Sequence, residues 1–84
     1  MRGLSKGERE FKDVYITALK ERTEDGCRHT LEAYRYESVS GAIKKYEDLI
    51  LDHEGCKDKL LLVELQFITQ NRYMTLKEKH LWES

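Results

Sequence analysis

The chain has 84 residues, enough for one domain with a small hydrophobic core. Fifteen basic and sixteen acidic residues leave a formal net charge of −1. That balance lacks the basic excess with which nucleic-acid binders neutralise phosphates, and it is not acidic enough for a whole-surface mimic of DNA. An apolar fraction of 39% beside 37% charged residues suits a folded domain rather than a disordered tail. No run approaches the ~18 consecutive apolar residues of a membrane span. The opening Met1-Arg2-Gly3-Leu4-Ser5-Lys6 lacks the apolar stretch of a secretory leader. Cys27 and Cys56 are too few for a disulfide framework, so the expectation is a reduced, cytoplasmic protein without contact to a membrane.

Ser5-x-x-Glu8 has the form of a capping box, which predicts a short helix from Lys6 to about Lys12; the same residues also read as a polar tail. Val14 to Arg22 reads as a first strand. Its Val14-Tyr15-Ile16-Thr17-Ala18-Leu19 run is apolar at nearly every position, as in a strand covered on both faces. Thr23-Glu24-Asp25-Gly26 is a turn, because Asp-Gly supplies the positive φ that a tight hairpin needs. Arg28 to Glu37 is then the second strand. Ser40 to His53 reads as an amphipathic helix, with Ser38 or Ser40 as cap and Gly55 as a left-handed stop. Its apolar stripe is Val39, Ala42, Ile43, Tyr46, Leu49 and Ile50. Lys59 to Thr69 is the third strand. A second capping box, Thr75-x-x-Glu78, predicts a C-terminal helix over 75–83 carrying Leu76, Leu81 and Trp82.

These elements define an α+β domain with a ββαβ core over about 13–69. The hairpin makes the second strand antiparallel to the first. A right-handed crossover through the helix then carries the third strand to the first strand's other side. The expected sheet is three-stranded, in the order 2-1-3.

One helix covers one face of such a sheet. The stripe is assigned to the face of Val14, Ile16, Ala18, Leu31, Ala33, Leu61, Val63, Leu65 and Phe67. The other face then carries Tyr15, Thr17, Leu19, Tyr34, Tyr36, Leu60, Leu62 and Ile68, too apolar to be left in water. Three covers compete for it: the C-terminal helix, a second copy of the chain, or a partner protein. A small core mildly favours a homodimer.

Chemistry has little support. Cys27, His29, His53 and Cys56 are zinc-ligand types, but their spacing matches no standard finger. Two strand spacings of ~4.8 Å also hold the two thiols too far apart for a disulfide. There is no phosphate-binding glycine loop, nucleophile elbow or His-Glu-x-x-His helix. The chain is therefore expected to be no enzyme and to need no metal or cofactor. Glu47, Asp48, Asp52 and Glu54 crowd the helix exit, with Lys44, Lys45, Lys57 and Lys59 interleaved. Acids near a helix C-terminus oppose the helix dipole, so helix stability does not explain Asp52 and Glu54.

The order strand, Asp-Gly hairpin, tyrosine-bearing strand, Ser-capped helix and strand resembles the small phage proteins that inhibit uracil-DNA glycosylase. The similar stretch runs from Asp13 to about Thr69, with Asp13-Val14, Asp25-Gly26, Tyr34-x-Tyr36 and Tyr46 as matching points. The resemblance implies a protomer that dimerises and occludes a partner's surface, the partner being a host DNA-processing enzyme and the compartment the host cytoplasm. It also implies that Glu32, allowing a one-residue shift, and Tyr46 belong to the binding surface. Ala42 stands where that family has a second ring, and Gln70 to Ser84 has no counterpart in it. The expected function is a small protein-binding inhibitor or adaptor whose partner or dimer face comprises Tyr15, Leu19, Glu32, Tyr34, Tyr36, Tyr46, Leu60 and Leu62. Two alternatives stand beside it. One is a nucleic-acid module using Arg28, Arg35, Lys44, Lys45 and the tyrosines; the other is a structural dimerisation component.

Overall fold

A computed structural model describes residues 13–70 and 72–83. They form β1 (Val14–Arg22), β2 (Arg28–Tyr36), α1 (Val39–His53), β3 (Leu60–Thr69) and β4 (Arg72–His80). The helix expected over Lys6 to Lys12 lies outside the described residues. All strands pair antiparallel in one sheet, in the order β2-β1-β3-β4.

The three-stranded sheet expected from sequence is thus corrected to four strands, and the C-terminal helix expected over 75–83 is instead strand β4 followed by a short turn. The reason lies in β3. Leu61 to Gln66 are six consecutive buried residues, a run that a strand at the rim of a sheet does not show. Pairing with β4 gives β3 a neighbour on each side, and this tertiary gain overrides the helical leaning of Thr75-Leu76-Lys77-Glu78-Lys79. Thr69 pairs with Arg72, so only two residues connect the strands, and Gln70 turns the chain at φ 43°. Beyond β4, the Leu81 N–H donates to the Leu61 carbonyl at 2.8 Å, and the Leu81 side chain enters the core.

Local chemistry shapes the first half. Gly26 takes φ 90°, where a Cβ is strained. Around it, the Gly26 N–H donates to the Thr23 carbonyl at 3.0 Å and the Thr23 N–H to the Cys27 carbonyl at 2.9 Å. The Asp25 carboxylate accepts from the Thr23 hydroxyl and the Cys27 N–H, and these bonds, chiefly the one from Thr23, hold it below the usual carboxylate range. Ser38 occupies the N-cap of α1 but makes no capping bond with its side chain. The helix also ends differently from expectation. Glu54 follows in the right-handed helical region, Gly55 is not at positive φ, and His53 Nδ1 bonds the Leu49 carbonyl at 3.0 Å.

The register sets which side chains share a face. Tyr15, Thr17 and Leu19 lie opposite Phe67, Leu65 and Val63, and Tyr15 and Thr17 also lie opposite Tyr36 and Tyr34. This is the face under α1. Leu19, Ala42, Tyr46, Leu49, Leu61, Val63, Leu65 and Leu81 make its buried cluster, with Tyr15, Tyr34, Tyr36, Ile43, Ile50 and Cys56 packed against it. The helix comes close because its contact residues are small. Thr17 Oγ1 donates to the Ala42 carbonyl at 2.8 Å, and a Cβ on Gly41 would stand 3.0 Å from the Tyr36 ring.

Candidate protein-interaction surface

The expected interaction face is rearranged by this register. Tyr15, Leu19, Tyr34, Tyr36 and Tyr46 are brought together, but beneath α1 and not on the face away from it. Leu60 and Leu62 lie on the opposite face, where Leu62 is wholly buried between the positions of Lys20 and His80. Glu32 sits on the helix side of β2 and accepts a hydrogen bond from the Tyr34 hydroxyl at 2.5 Å, which pushes the Tyr34 phenol upward. The expected helix face is off by one residue on β1, where Val14, Ile16 and Ala18 point away, and Ala33 of β2 shares that error, whereas Leu61, Val63, Leu65 and Phe67 of β3 do lie on the helix side. Both faces of β1 are apolar, so alternation has no sign there. The large rings required cover more than Ile16 and Ala18 did.

The face away from α1 carries an ionic network spanning all four strands. Glu64 on β3, 3% exposed, meets Lys20 Nζ of β1 at 2.8 Å and Arg28 Nη1 of β2 at 2.5 Å. Arg28 also donates both terminal nitrogens to Glu78 of β4 at 3.2 Å, a two-point grip. Gln66 donates to Glu64 at 2.7 Å and accepts from the Tyr73 hydroxyl. Glu78 pairs with His80, whose ring stacks on Trp82 at 4.6 Å between centroids. These contacts hold the Glu78 carboxyl below its usual range, chiefly through Arg28, and raise His80, chiefly through Glu78. Every member has a partner, so the network reads as a polar clasp. Among the described residues, no group of three or more His, Cys, Asp or Glu is placed to hold a metal ion, and both cysteines are free thiols.

What stands out in solvent is β4. Tyr73 is 60% exposed, Met74 40% and Leu76 45%, on a strand with eight of nine residues exposed. The helix packs on β1, β3 and β2. Both edge strands also contain a bulge, and the unpaired residue is a leucine in each: Leu31 in β2 and Leu76 in β4. Bulges bend an edge away from further ladder pairing, so these strands offer side chains more readily than backbone. Sequence reasoning missed β4 because it carries a capping-box pattern. The signal that could have found it was the two-sided apolarity of Leu60-Leu61-Leu62-Val63, the same feature that marked β1 as central.

No protein-family model, known protein or solved structure matches this chain. No helix among the described residues is long and apolar enough to cross a membrane.

Proposed function

We propose that this chain is a small protein-binding module, an inhibitor or adaptor that acts by covering part of another protein's surface. The observation that supports it best is the set of three large apolar side chains, Tyr73, Met74 and Leu76, standing in solvent on β4. Tyr73 and Met74 stand on opposite faces of β4, so exposed apolar groups flank this edge strand on both sides; such groups on a small domain mark contact surfaces, and tyrosine and methionine suit them. Occlusion is also the mode of action implied by the resemblance to inhibitors of uracil-DNA glycosylase. The nucleic-acid reading has less support, since Arg28 is engaged by Glu64 and Glu78, Lys45 lies 4.2 Å from the Tyr34 ring centroid, and Tyr46 is buried.

The test is affinity capture from a bacterial lysate with the wild type beside a Tyr73→Ser, Leu76→Ser variant of unchanged circular dichroism. The expected result is one stoichiometric protein retained by the wild type and lost by the variant. Identical retention by both, or no stoichiometric protein on the wild type, would refute the reading.

A further inference from the structure

One α-helix is about 10 Å across and strands are ~4.8 Å apart, so a single helix covers roughly two to three strands of a sheet. This sheet has four strands, and β4 is left beyond the cover of α1. The register puts Arg72, Met74, Lys77 and Lys79 on the α1 side of β4, opposite Thr69, Phe67, Leu65 and Val63. Among these four paired residues there are one apolar side chain and three cations, with Lys77 Nζ 5.9 Å from the Tyr46 ring centroid, while Glu78 points to the other face with the ionic clasp. Beyond Lys44, the outer surface of α1 has the opposite character in its C-terminal half. Leu51 is 67% exposed, and the helical neighbours around it are Glu47, Asp48 and Asp52, all exposed, with Glu54 following. Of these, Asp52 and Glu54 oppose the helix dipole, and helix stability leaves them unexplained.

We infer that a second copy of the chain occupies the shelf, its α1 lying over β4 so that Leu51 meets Met74 and the helix acids meet Lys77 and Lys79. The arrangement closes on itself. Both patches lie on the same side of the sheet, so a two-fold axis lets each helix cover the other copy's β4 at the same time, as an isologous contact demands. Two sheets then enclose a shared layer of two helices, and each helix uses its apolar stripe on its own sheet and its acidic side on the other. Charge complementarity selects this occupant over a polyanion, which the neighbouring acids of α1 would repel. The inference does not rest on the target-binding reading: it takes Met74 into the contact between copies and leaves Tyr73, on the opposite face, for a target.

The test is a charge exchange followed by light scattering after size-exclusion chromatography. The wild type is expected at the dimer mass, shifting toward monomer as salt rises. Lys77→Glu with Lys79→Glu, and separately Glu47→Lys with Asp52→Lys, each give folded monomers, with folding checked by circular dichroism. Mixing the two variants restores a dimer, since each helix then faces a shelf of opposite charge. A monomeric wild type overturns the inference. So does a dimer indifferent to both exchanges, or folded variants that fail to pair when mixed. If an exchange pair unfolds, Leu51→Ser replaces it, and a dimer that survives that change overturns the inference equally.

Discussion

Glu64 is the residue on which the sheet's second face turns. Its carboxylate is nearly without solvent contact and is satisfied by Lys20, Arg28 and Gln66. Removing one member of a buried ion pair leaves the others uncompensated, which costs ~3–5 kcal/mol when all are buried. Here Lys20 and Arg28 keep some access to water, so Glu64→Ala is expected to lower stability by roughly 2 kcal/mol, read from the urea midpoint. A change below a few tenths would mean that water replaces the carboxylate freely. His80 and Glu78 predict a pH profile. His80 is raised above its ordinary 6.5, so its contribution is complete below that value and is lost as pH rises through the raised one. Glu78 is lowered from 4.5, so its contribution is present above that value and is lost as pH falls through the lowered one. The pair therefore stabilises most between pH 4.5 and 6.5. Denaturation midpoints of His80→Gln should decline less toward alkaline pH than those of the wild type, and parallel curves would contradict the assignment. Gly26 is a third point of leverage. A side chain there meets no neighbour within 4 Å, yet φ 90° strains any Cβ, so Gly26→Ala should cost about 1 kcal/mol through the backbone alone.

At the level of elements, α1 and the sheet hold each other through a narrow line of contacts. Leu49 is fully enclosed between Leu19, Val63 and their neighbours in the core cluster. Truncating it to alanine removes that packing and leaves a cavity, and the expected loss is about 2–4 kcal/mol by thermal or chemical unfolding. An unchanged transition temperature would mean that the helix collapses onto the sheet without it. This contact is legible in the sequence, because Ala42, Tyr46 and Leu49 recur at three- and four-residue spacing, although Val39 at the start of the same stripe stands 40% exposed. The Asp25-Gly26 hairpin was equally legible, since its conformation follows from two residue types. What the helix rests on was not. Tyr15 and Ile16 both suit a buried position, and choosing between them needs the pairing of Leu19 with Val63, residues 44 apart in sequence.

For the whole molecule, the fourth strand is the part that completes the fold. It gives β3 its second neighbour, and the turn beyond it delivers Leu81 to the core. Deleting the chain from residue 70 onward would make a strand with six consecutive buried residues into an edge and remove Leu81. The expected outcome is loss of a cooperative thermal transition, with the strand turned toward aggregation. A truncated chain that still melts sharply would show that the ββαβ part folds alone. By itself the sequence determined the features that live within a few residues of one another. These are a turn that needs positive φ, a helix with a 3.6-residue stripe, and strands rich in β-branched and aromatic side chains. Only the tertiary structure decided which face of β1 the helix covers and whether 72–80 extends or coils. A two-sided apolar strand has no preferred face until its neighbours are in place. A segment with weak helical leaning becomes a strand when the edge beside it has more to bury than the helix has to gain.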